Sequence, residues 1–192
     1  MINWDMIENL LKRSRPNFTG QYRVAIYSRM PYDDGQEATA ENHIKFMKLV
    51  LDRDPRFHVE GVYSEFGVPF TDLSAMKEYQ HIIEKCKAGK VDLVMIHDLS
   101  RLSKDCIHLM KNTEPLAQCQ PEIGILSFGD QLLVMASDAA DWAEKMASGD
   151  YSACRLSLLC GLCDSISRPL RNLNTRLPSL LAVTTSRVMA QM

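Results

Sequence analysis

The sequence predicts an α/β fold: a mostly parallel sheet of four to five strands with helices on both faces, then a C-terminal helix and an irregular tail. Three observations predict it. Four short apolar runs rich in β-branched residues alternate with stretches whose apolar residues recur at helical spacing. Those stretches are about four turns long, enough to carry a parallel crossover. The connections are short, which favours right-handed crossovers and leaves helices on both faces.

The elements follow in order. Residues 3–14 read as a short amphipathic helix with Trp4, Ile7, Leu10 and Leu11 on one face, closed by Pro16 and Gly20. Residues 22–28 are the first strand, and Asp33, Asp34 and Gly35 make a turn. A helix over 37–52 carries Ala40, Ile44, Met47 and Leu51 on one stripe, and Pro55 closes it. The second strand, 57–64, holds Val59, Val62 and Tyr63. A Gly67-Val68-Pro69 loop leads to a helix over 74–88 on Met76, Tyr79, Ile83 and Cys86, with Gly89 as the residue after its end. The third strand is 91–96. A helix over 102–118 follows on Leu102, Cys106, Leu109, Thr113 and Leu116. The fourth strand is 123–127. The last helix, 131–147, shows Leu132, Met135, Ala139, Trp142 and Met146, and Ser148-Gly149-Asp150 breaks the pattern. This divides the chain into an N-terminal helix or extension (1–20), a folded domain (21–148) and a basic tail (149–192).

Composition narrows the class. A hydrophobic share of 46% with 24% charged residues supports a core, so the whole chain is not a disordered tail. No run of apolar residues is long enough for a membrane span. The opening Met1-Ile2-Asn3-Trp4-Asp5 lacks the features of a secretory signal, so a cytoplasmic location and reduced thiols are expected for the six cysteines. Residues 1–150 hold 17 Lys and Arg against 23 Asp and Glu, whereas 151–192 hold five arginines and one acid, Asp164. That tail reads either as a DNA-binding arm or as a poorly ordered or non-native extension.

Chemistry gathers at two strand ends. Tyr27-Ser28-Arg29-Met30-Pro31 follows the first strand and Ser100-Arg101-Leu102-Ser103-Lys104-Asp105 the third. In a parallel sheet both segments put cations at the carboxyl end, where α/β folds build their sites. Three further segments come in a definite order: Glu41-Asn42-His43, Glu60-Gly61-Val62-Tyr63-Ser64-Glu65-Phe66-Gly67, and Lys87-Ala88-Gly89-Lys90-Val91-Asp92-Leu93-Val94.

Together these segments resemble the resolvase/invertase family of serine recombinases, over about residues 22–147. The family's first strand reads Tyr-x-Arg-x-Ser and its third leads into Ser-Arg-x-x-Arg. The resemblance implies a resolvase-like fold, DNA as partner, and an oligomer (a homodimer or a pairing with an active recombinase). It implies that a serine attacks a DNA phosphodiester while arginines, without a metal, stabilise the transferring phosphoryl group. Carried over by position, Arg29 and Arg101 keep two phosphate-stabilising roles, and Lys104 stands at the second arginine of Ser-Arg-x-x-Arg. Lysine keeps the charge there and loses the bidentate fork. A further arginine position falls on Met76, with Lys77 beside it. Arg29, Lys77, Arg101 and Lys104 are the expected DNA contacts.

The nucleophile position is Pro31, which has neither a side-chain nucleophile nor a backbone N–H. Ser28 lies inside the strand, where alternation turns it to the face opposite Arg29. Tyr32 has no adjacent base, and a loop tyrosine is its ordinary reading. The expectation is therefore a recombination protein that does not cleave DNA by itself. The alternatives are a decayed mobile-element remnant, a phosphate- or small-ligand-binding α/β module, and an enzyme with another nucleophile.

Other features carry less. His97 closes the third strand near Arg101 and could help to bind phosphate or simply satisfy a carbonyl. Cys160 and Cys163 lack a second pair at zinc spacing, so no metal is expected. No phosphate-binding glycine motif follows a strand, so no nucleotide cofactor is expected either. The stripe Leu132, Met135, Ala139, Trp142, Met146 reads as sheet packing or, from the resemblance, as a dimer helix.

Overall fold

Strand β1, Tyr22–Met30, is almost wholly inside: eight of its nine residues are buried, only Arg23 less so. The computed structural model describes residues 4–31, 35, 37–129 and 132–138. Around β1 stand α1 (Trp4–Leu11), α2 (Glu37–Leu51), β2 (Phe57–Phe66), α3 (Lys77–Lys87), β3 (Leu93–Ile96), a 3-10 turn (Leu99–Arg101), α4 (Cys106–Ala117), β4 (Gly124–Ser127) and β5 (Leu132–Met135). The sheet order is β2-β1-β3-β4-β5, parallel except for β5. The sequence-derived α/β class and the mostly parallel sheet hold.

Strand alternation sorts the core into two layers. Val24 and Ile26 meet Ile7 and Leu11 of α1 and Met47 and Leu51 of α2. Ala25 and Tyr27 meet Tyr79, Ile82 and Ile83 of α3 and Leu109 and Leu116 of α4. Arg29 continues the second series, on the α3/α4 face, and Ser28 the first. Gly89 has φ +66 and closes α3 with its N–H on the Cys86 carbonyl, as its place in the sequence predicts.

This order sets the position of the site. From β1 the chain crosses over α2 to β2 at one edge, then returns over α3 on the other face to β3. The reversal makes a switch point between β1 and β3, whose carboxyl ends lie side by side there. The register is fixed by Tyr27 opposite Ile96 in β3 and Arg29 opposite Glu65 in β2.

One expectation is corrected. The stripe Leu132, Met135, Ala139, Trp142, Met146 was expected on a single helix over 131–147. Instead Leu132 to Met135 form β5, paired antiparallel with β4 at the sheet edge, and helix begins only at 136–138. The run Leu132-Leu133-Val134-Met135 suits a strand as well as a helix. What decides is pairing: Ile125 meets Val134 and Leu126 meets Leu133. Leu132 and Met135 therefore cannot belong to a helical stripe. Ala139, Trp142 and Met146 lie outside the described residues, as do the tail and Cys154, Cys160 and Cys163. Among the described residues no helix is long and apolar enough to cross a membrane.

Two charge clusters lock α1 and the strand starts. Asp92 is buried and accepts from the Arg23 backbone N–H at 2.8 Å, from Arg23 Nε at 3.0 Å and Nη2 at 2.9 Å, and pairs with Arg15 Nη2 at 2.6 Å. Arg56 ties β2 back to α1 through Glu8 at 2.5 Å and Asp5 at 2.9 Å, while Asp54 takes its other nitrogens. Removing a buried carboxylate leaves its cations unpaired. Asp92→Ala is therefore predicted to cost about 3–5 kcal/mol, read as the shift in a urea denaturation curve. A loss below about 1 kcal/mol, the ordinary value of exposed pairs, would contradict this role.

Candidate phosphate site at the carboxyl ends of strands β1 and β3

Arg29 is only 1% exposed although it carries a guanidinium. Its Nε donates to the Arg101 carbonyl at 2.8 Å, Nη2 to the Ser100 carbonyl at 2.7 Å, and Nη1 to the Val68 carbonyl at 2.8 Å. The Phe70 ring lies 5.6 Å from the guanidinium carbon. One side chain thus holds both segments that follow the neighbouring strands. Burial pulls the Arg29 pKa below its ordinary value, and the nearby Arg101 adds to this. All three hydrogen bonds run to carbonyls and none to a carboxylate.

Arg101 returns the contact. Its Nη1 donates to the Arg29 carbonyl at 3.0 Å and lies 3.4 Å from Met30 Sδ, while Nε and Nη2 reach Asp98 Oδ2 at 3.1 and 3.0 Å. Arg29 and Arg101 are therefore brought together, and Pro31 follows Met30 directly. Lys104 and Lys77 are exposed, Lys77 at the start of α3. Met76, where the resemblance puts an arginine, is wholly buried in the core.

Asp98 organises the turn after β3. It caps the 3-10 turn by accepting from the Ser100 N–H at 3.1 Å and from the Ser100 hydroxyl, and it contacts His97 Nδ1 at 3.0 Å. Burial pushes its pKa up, but the bonds from Ser100, His97 and Arg101 outweigh this and hold it below the ordinary value. Glu65, buried at the end of β2, accepts from the Tyr27 hydroxyl at 2.5 Å and from the Glu78 N–H at 2.7 Å in the first turn of α3. Burial and then the Glu65 bond raise the Tyr27 pKa far above its ordinary value, so Tyr27 stays a neutral donor.

Sequence reasoning missed the roles of Asp98 and Asn112 and the stacking of His43 on His97. Asp98 was legible as a cap, since an Asp two residues before a buried-turn N–H is a common signal. Asn112 gives both side-chain hydrogens to carbonyls, Phe70 at 3.0 Å and Leu102 at 2.7 Å, and nothing in a helical stripe announces that. The His43 and His97 rings stack, with centroids 3.6 Å apart and planes 9° from parallel. They come from α2 and the end of β3, so no local pattern relates them.

The N-terminal domain of the resolvases matches residues 24–144 of this sequence. The chain belongs to the resolvase family. Among solved structures, a resolvase family site-specific recombinase from Streptococcus pneumoniae is similar at 15% identity and TM-score 0.54, over 72% of this chain and 94% of that one. The N-terminal catalytic domain of TP901-1 integrase is similar at 17% identity and TM-score 0.51, over 70% of this chain and 98% of that one. At such identities the likeness concerns the resolvase-like fold. Among curated proteins none matches the sequence.

His43 makes the stability of the fold depend on pH. Burial, the neighbouring His97 and Arg101 hold His43 below its ordinary pKa, and its Nδ1 has no hydrogen-bond partner. The folded state therefore binds a proton at His43 less readily than the unfolded chain. This contribution is fully present above the ordinary imidazole value of about 6.5 and declines as pH falls through it towards the lower folded value. We predict that the denaturation midpoint drops between about pH 7 and pH 5 and that His43→Gln flattens the drop. An equal slope in both proteins would remove His43 as its source.

Proposed function

We propose that this resolvase-family chain is a DNA-binding site-specific recombination protein that does not itself cleave DNA. The observation that carries the reading is Pro31, which follows β1 beside the Arg29–Arg101 pair, where the family resemblance puts the serine nucleophile. A proline offers no atom to attack phosphorus. Arg101 and Lys104 supply cations for DNA phosphates, with Lys77 exposed at the start of α3 and Arg29 buried. Guanidinium groups suit phosphate oxygens because they donate in parallel pairs.

The same reading makes the protein a cytoplasmic partner in an oligomer, either with its own kind or with an active recombinase. Residues 21–148 act as the catalytic-type domain, 1–20 as an N-terminal extension and 149–192 as a basic tail. A decayed mobile-element remnant is the second reading. What favours it is Met76: the expected arginine position is an apolar core position, so the change at Pro31 is not isolated.

Fluorescence anisotropy with duplex DNA tests the proposal, using the full chain and a version ending at Gly149 at low and moderate salt. We predict binding by both, weakening steeply as salt rises through release of counterions from neutralised phosphates. Binding that disappears with the tail would move the DNA contact off the Arg101 surface. No binding at low salt would leave the remnant reading.

A further inference from the structure

Arg29 presents an electrostatic problem that the fold alone does not solve. A buried cation is costly unless an anion or several strong acceptors compensate it. The acids close enough to act through space, Glu65 and Asp98, spend their hydrogen bonds elsewhere, on Tyr27 and Glu78 and on Ser100, His97 and Arg101. Three carbonyl dipoles stand in for a counter-ion. An anion could do more.

The three carbonyls are not equivalent. Those of Ser100 and Arg101 belong to the 3-10 turn, which Asp98 caps and whose buried Leu99 packs into the core. The Val68 carbonyl belongs to a short segment that leaves β2 through Gly67, at φ +67, a conformation that suits glycine. Val68 packs partly buried against the core, and the segment's other fastenings are few. Gly67 N–H bonds the Met30 carbonyl at 3.0 Å, Asn112 bonds the Phe70 carbonyl at 3.0 Å, and the Phe70 ring meets His108 edge-on at 5.5 Å.

We infer that segment 68–70 is a lid over Arg29, and that a DNA phosphate reaches this arginine only when the lid swings out about Gly67. The inference rests on the DNA-binding reading above. Lid opening removes the Val68 carbonyl from Nη1 and the Phe70 ring from beside the guanidinium. Nε and Nη2 stay anchored on the 3-10 turn. The guanidinium therefore keeps its orientation while Nη1 turns from a carbonyl to a phosphate oxygen. The closed lid lowers apparent affinity by the fraction of molecules that are open.

Phe70→Ala loosens the lid and takes the ring from beside the Arg29 guanidinium while leaving all three of its hydrogen bonds available, and Asn112→Ala removes the tie to the Phe70 carbonyl together with the one to Leu102. The first readout is independent of DNA: modification by p-hydroxyphenylglyoxal, mapped by mass spectrometry, with exposed Arg13 and Arg53 as internal references. The second is duplex-DNA anisotropy on the same full-length proteins. In the wild type Arg29 resists the reagent. In Phe70→Ala it reacts about tenfold faster and DNA binds about tenfold tighter, as expected if about one molecule in ten is open at rest. DNA then protects Arg29 from the reagent. If neither variant exposes Arg29, it is a permanent fastener and the lid is wrong. If a variant exposes Arg29 and DNA binds no tighter, while the wild type binds DNA, the lid alone is overturned. If no protein binds DNA, the DNA-binding reading falls and the lid with it.

Discussion

A buried guanidinium bonded to three backbone carbonyls is the constraint on which the site depends. Arg29 sits near the carboxyl end of β1, between β2 and β3, and reaches the segment after β2 and the turn after β3 at once. It anchors two loops that diverge from neighbouring strands, with Asn112 as the second shared tie. Its bonds are charge-assisted, and low local polarity strengthens them. The same burial makes the arrangement dependent on every acceptor, because a cation left short of partners in that place costs several kcal/mol, on the order of a buried broken pair.

The surrounding residues follow from this anchor. Arg101 bonds back to the Arg29 carbonyl, so the two arginines brace each other through backbone although their charges repel through space. Asp98 neutralises Arg101 and caps its turn in one step. Asn112 repeats the cross-tie one layer further out, between Phe70 and Leu102. On the other side of β1, the stacked His43 and His97 bring α2 against the same strand ends. A resolvase-type scaffold is thus kept in order around a position that holds proline.

Much of the fold was legible because burial speaks through periodicity. The stripe Met76, Tyr79, Ile83, Cys86 suits a helix and the run 91–96 a buried strand: α3 carries Tyr79, Ile83 and Cys86 behind Met76 as its N-cap, and Leu93 to Ile96 form β3. The pairing of Arg29 with Arg101 was legible from their places after two strands. Two things were not. A short run such as Leu132 to Met135 satisfies either period, and only pairing with β4 decides it. The inward turn of Arg29 was also hidden, since a strand-end arginine reads as exposed until its carbonyl partners are known. Partners such as Val68 and Ser100 lie far apart in sequence and act through backbone, which carries no residue signature.

The measurement that bears most directly on the account is a search for a covalent link. The wild-type protein is incubated with supercoiled DNA and with short duplexes, quenched in denaturant, and resolved on a denaturing gel. With proline at the nucleophile position the account predicts no protein–DNA adduct and no nicking. A stable adduct, mapped to any residue of this chain, would contradict it and would show that the Arg29–Arg101 site still works with a different nucleophile.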